Sequence, residues 1–62
     1  MSEDPTFCRQ RADIERRAAA ASDLERVQER HLLSAATWDR MAERGEATQR
    51  LRARRAELAL PA

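Results

Sequence analysis

Ala18-Ala19-Ala20-Ala21-Ser22-Asp23-Leu24-Glu25-Arg26-Val27 is the stretch on which the fold turns. It is either the middle of one long helix or the bend between two. Ser22 and Glu25 have the spacing of a capping box, and Asp23 adds a negative charge to a new first turn. No glycine or proline marks a bend here, so the case for one rests on phase. Upstream, Phe7, Ile14, Ala18 and Ala21 form an apolar stripe. Downstream, Leu24, Val27, His31, Ser34, Trp38, Met41 and Gly45 alternate by threes and fours. On a regular helix the two stripes differ by roughly 140°. The successive steps of three from Ala18 to Val27 would also strain a continuous seam. The stretch is read as a bend.

Folding the chain back at Ser22 gives a check, because facing residues of an antiparallel hairpin have numbers with a constant sum. Ala21 with Leu24, Ala18 with Val27, Ile14 with His31 and Phe7 with Trp38 all obey it, as does Arg11 with Ser34. Small residues meet near the turn and the two aromatics near the open end. At the start, Asp4 suits an N-cap and Pro5 the first helical position, where its missing N–H costs nothing. The expected fold is an all-α antiparallel helical hairpin, with helices over about 5–21 and 23–59.

On this register everything after Ala42 overhangs. Gly45 is a candidate helix stop, yet the run from Glu46 to Leu58 is rich in helix formers. The second helix is therefore expected to resume or pass through, bent or broken near Gly45. Ala47, Leu51 and Leu58 form an apolar line roughly 150° from the hairpin stripe, shared by Leu33 and Ala36. An overhang with its own apolar line calls for a partner from another chain. Residues 1–4 and 60–62 read as frayed ends of a single small helical domain spanning 1–62.

Composition agrees. Ala, Arg, Glu and Leu make up 38 of the 62 residues, the usage of a long-helix or coiled-coil protein. Thirteen are alanines, which have little surface to bury. A compact chain of 7.1 kDa would gain about 90 kcal/mol from apolar burial against about 90 kcal/mol of ordering entropy. A hairpin buries less than a sphere, so self-association or a larger protein partner is favoured. The single cysteine cannot close an intrachain disulfide.

A net charge of +1 implies neither a generally nucleic-acid-binding surface nor an acidic tail. All twelve cations are arginine, with lysine, asparagine and tyrosine absent. That usage points to a GC-rich genome, so arginine is discounted as a functional signal. No apolar run follows the acidic start, and none is long enough to span a membrane. With a single cysteine, this points to the cytoplasm.

Catalytic chemistry finds little support. Cys8 and His31 would lie about six residues apart along the hairpin, too far for a nucleophilic dyad or a shared metal. His31 is read as a partly exposed seam residue facing Ile14, and Cys8 as a small hydrophobe with a reachable thiol. No phosphate-binding loop or nucleophile elbow occurs, and Ser2, Ser22 and Ser34 have no base nearby. The acid pairs Glu25/Glu29 and Asp39/Glu43 read as solvated faces with arginine neighbours. No enzyme activity, cofactor, metal or small-molecule substrate is expected. Trp38 belongs to core or interface, and Trp38→Ala should cost about 3–5 kcal/mol if that site is buried.

The segments Phe7-Cys8-Arg9-Gln10-Arg11-Ala12, Arg30-His31-Leu32-Leu33 and Ala36-Thr37-Trp38-Asp39-Arg40-Met41-Ala42-Glu43-Arg44 carry a resemblance. Over about residues 7–44 the chain resembles short bacterial helical-hairpin proteins. The resemblance implies a hairpin and no particular activity, and it does not extend to the arginine-rich tail.

Two functions follow. The first is a non-catalytic interaction or assembly protein, a homo-oligomer packing through Leu33, Trp38, Met41, Leu51 and Leu58. The second is a small nucleic-acid-binding regulator using Arg50, Arg52, Arg54 and Arg55, opposed in the tail by Glu57 alone. A chain that folds only on a larger partner is the third possibility.

Overall fold

Asp4 opens the first helix as its residue type dictates. It is extended (φ −64°, ψ 129°) and its Oδ1 accepts from the Thr6 amide at 3.4 Å, with Pro5 next in line. Helix α1 runs Pro5–Ala21 and helix α2 runs Glu25–Ala59. The computed structural model describes residues 4–61. The fraying expected of residues 1–3 and of Ala62 falls outside the described residues, while Asp4 is ordered as a cap. The two helices pack side by side in an all-α hairpin measuring 59 × 17 × 13 Å.

The bend is built differently from the expected capping box. Leu24, not Ser22, precedes α2, and no side chain caps that end. Ser22 instead ends α1, its amide bonded to the Ala19 carbonyl at 3.2 Å. Its hydroxyl accepts from the Leu24 amide at 3.1 Å, and the Gln28 side chain donates to its carbonyl. Ser22 and Leu24 are both extended, and no described residue has a positive φ. The turn therefore needs no glycine, which is why none marks it.

The seam also departs from expectation. The buried residues are Pro5, Cys8, Ala12 and Ala19 on α1 and Ala35 and Ala42 on α2. Glu15, His31, Trp38 and Gly45 continue the same alternation of threes and fours at intermediate burial. Phe7 and Ile14, expected in the seam, are 44% and 49% exposed. Each expected seam position at 7, 11, 14 and 18 lies one residue before an observed one. On α2, Ser34 and Met41 likewise precede the buried Ala35 and Ala42, while His31, Trp38 and Gly45 stand where the alternation placed them.

Because the helices are antiparallel, stepping back one residue on both rotates both stripes toward the same side. The constant sum survives that shift. It describes a face of the hairpin, not its interior.

Small residues let the backbones approach closely. A Cβ on Gly45 would sit 3.0 Å from Pro5 Cγ, 3.1 Å from Cδ and 3.3 Å from Cβ. Gly45 is thus no stop: α2 passes through it unbroken and continues to Ala59. Its role is to admit the Pro5 ring. The overhang consequently begins later than expected, since Gly45 meets Pro5 and Glu46 reaches Arg9. Every described residue from Ala47 onward is exposed. Residues 47–59 project as a helix of ~20 Å with no other described element beside it.

Candidate functional site

The hairpin has two unlike faces, one on each side of the seam. On the first, α1 contributes Arg9 and Arg16, and α2 contributes Asp39 and Glu46. Arg9 bridges both carboxylates, at 3.0 Å to Asp39 and 2.9 Å to Glu46, and Arg16 reaches the other Asp39 oxygen at 2.7 Å. Desolvation pushes the Asp39 carboxyl up, but hydrogen bonds from Arg16 and Arg9 outweigh it and hold its pKa below the ordinary value. Glu46 is lowered mainly by its hydrogen bond from Arg9, against desolvation. The same bond raises the pKa of the Arg9 guanidinium. These charges satisfy one another and lash the helices together.

The second face carries Phe7, Ile14 and Ala18 from α1 and Val27, Ser34, Trp38 and Met41 from α2. Phe7 and Ile14 are exposed and the other five half-buried. Leu24 extends the face at the turn, where it is exposed. The Phe7 and Trp38 rings meet edge to face with centroids 5.8 Å apart, as the constant sum requires. Arg11 lies over the Trp38 ring at 5.7 Å and pairs with Glu15 at 3.4 Å. Glu15 in turn meets His31 Nδ1 at 2.6 Å. His31 is partly exposed as expected, but it answers Glu15 rather than Ile14. Cys8 is fully buried, so its thiol is not reachable as the sequence suggested.

The expected contact residues divide between two surfaces. Trp38 and Met41 belong to the half-buried apolar face. Leu33, Leu51 and Leu58 lie on the outer side of α2, 70%, 51% and 78% exposed. They do not join into one surface. The alternative set, Arg50, Arg52, Arg54 and Arg55, is wholly exposed on the overhang and points around most of its circumference.

Sequence reading missed the ion-paired face formed by Arg9, Arg16, Asp39 and Glu46. Those residues stand one position after seam positions, a signal readable only once the seam is known. Among the described residues no helix is long and apolar enough to cross a membrane. No family model, curated protein or solved structure matches the chain.

Proposed function

We propose that the protein is a non-catalytic assembly module of the cytoplasm, acting through helix–helix packing as a homo-oligomer. The observation that supports this is how little the hairpin covers of its own apolar surface. Among the described residues, the buried hydrophobic ones are Cys8 and four alanines, while eight larger apolar side chains are exposed. The chain exposes 5236 Å², where a compact chain of its mass would expose ~4,100 Å². That excess of ~1,100 Å² is larger than the ~800 Å² each partner contributes to a stable interface. Sedimentation equilibrium on the wild type tests the proposal. Association that strengthens with concentration is expected; a monomer throughout would sink it.

A second reading has one observation in its favour. Among the described residues, the overhang presents four arginines against one glutamate on a helix whose every residue is exposed. Replacing Arg50, Arg52, Arg54 and Arg55 by glutamine should then abolish binding to random-sequence DNA or RNA. Wild-type affinity should fall with salt at a log–log slope near −0.9 per phosphate contacted on duplex DNA.

A further inference from the structure

We infer that the apolar face is where a second copy of this chain docks, and that the two hairpins lie antiparallel in a four-helix arrangement. This rests on the assembly reading above and says which surface and which orientation carry it. Three observations converge.

First, the two faces differ in what they still need. The Arg9–Asp39–Arg16 and Arg9–Glu46 bridges already satisfy the charges of one face. The other holds the chain's only phenylalanine, isoleucine, valine and tryptophan, none of them fully buried. Docking there costs little desolvation of charge, since Arg11 is already paired with Glu15 and stacked on Trp38.

Second, the seam is too small to account for the large side chains. In a hairpin closed by alanines, a cysteine and a proline–glycine contact, most apolar area lies beside the seam. A second layer is the ordinary way to cover such a surface.

Third, the face tapers. Phe7, Trp38 and Met41 stand at the open end, while Ala18 and Ala21 mark the turn end of α1. Laying one hairpin on another in the same direction would crowd the aromatics of both copies together at one end and leave the thinner layer, α1 alanines against Leu24 and Val27, at the other. The antiparallel arrangement sets Phe7 over the partner's alanines. It brings Trp38 toward Leu24 and Val27 of the second copy, and the layer keeps an even thickness. The two-fold axis then passes near Ile14, so α1 faces α1 and α2 faces α2. Both arginine-bearing overhangs project outward, at opposite ends.

The test combines association with cross-linking. Ile14→Glu should weaken self-association about tenfold or more, and Leu51→Glu with Leu58→Glu should leave it nearly unchanged. If Ile14→Glu unfolds, acrylamide quenching of Trp38 in the wild type decides instead. Trp38 should be shielded in the oligomer and accessible on dilution, and unchanged accessibility across dissociation would overturn the face.

In a Cys8→Ala background, Ile14→Cys chains should form disulfide-linked dimers on oxidation, and Ala21→Cys chains should not. Ready cross-linking through Ala21→Cys would overturn the antiparallel orientation. Association that survives Ile14→Glu and fails in the leucine double variant would refute the face and leave the assembly reading standing. A wild type monomeric at all concentrations refutes both.

Discussion

Residues 5–46 and residues 47–59 are built from nearly the same alphabet and behave as different materials. Both regions are rich in alanine and arginine, and both are helical. In the first, the alanines are the packing. Ala12 and Ala42 are fully buried, and Ala19 and Ala35 nearly so. Their small size is what brings α1 and α2 close. In the second, Ala47, Ala53 and Ala56 are exposed and serve only as good helix formers. The same residue type therefore has opposite sensitivity to enlargement. What differs is the presence of a facing helix.

The largest effect should come from exploiting that difference. Ala42→Leu inserts a branched side chain into a site with no free surface. Overpacking of this kind should cost ~1–3 kcal/mol. Ala53→Leu, the same change on the overhang, should move stability by less than ~0.5 kcal/mol. Thermal unfolding at matched concentration, followed by circular dichroism, compares the two. Equal effects would mean that the helices are not held at alanine distance.

Gly45 offers a sharper cut at the boundary between the regions. In an exposed helix, glycine to alanine stabilises by about 1 kcal/mol. Here the new methyl would meet three atoms of the Pro5 ring at 3.0–3.3 Å, and a change of ring pucker alone does not clear all three. The propensity gain should therefore be largely cancelled in Gly45→Ala. In a Pro5→Ala background the obstruction is gone, and the same substitution should recover its ~1 kcal/mol. A double-mutant cycle by denaturant titration measures the coupling. A stabilising Gly45→Ala in the wild-type background would show that Pro5 and Gly45 do not touch.

How much of this was legible follows from the same residues. Asp4-Pro5 announces a helix start by chemistry that needs no tertiary partner, and the start is there. The pairing of Phe7 with Trp38 was legible because two large rings at matching heights leave few alternatives. The seam was not. Apolar periodicity weights each residue by the surface it can bury, so Ile14 outweighs Ala12 and Met41 outweighs Ala42. Interhelical distance works the other way and favours the smaller residue of each pair. The constant sum offered no protection, since displacing both stripes together preserves it. Trp38, which the alternation assigns to core or interface, is half-buried beside a Phe7 that is exposed. In the isolated hairpin, Trp38→Ala should therefore cost less than the ~3–5 kcal/mol of a fully buried aromatic.

The smallest expected effect concerns the ion pairs that end the hairpin, just before the overhang begins. Asp39 and Glu46 both have lowered folded-state pKa values, and each bonds Arg9. A carboxylate whose folded pKa is depressed contributes stability that is fully present above its unfolded value. That contribution is lost as pH falls through the folded pKa. The window therefore opens below about pH 4 and extends downward. Asp39 is only partly covered by its neighbours, so its contribution should stay within the ~0–1 kcal/mol of exposed pairs. Asp39→Asn should unfold at slightly lower temperature than the wild type at neutral pH, and the gap should close in acid. High salt at neutral pH should narrow it too, because such pairs are screened. A gap that persists unchanged in acid would mean that Asp39 holds the helices by its shape or hydrogen bonding rather than its charge. The boundary would then be set by Gly45 and Pro5 alone.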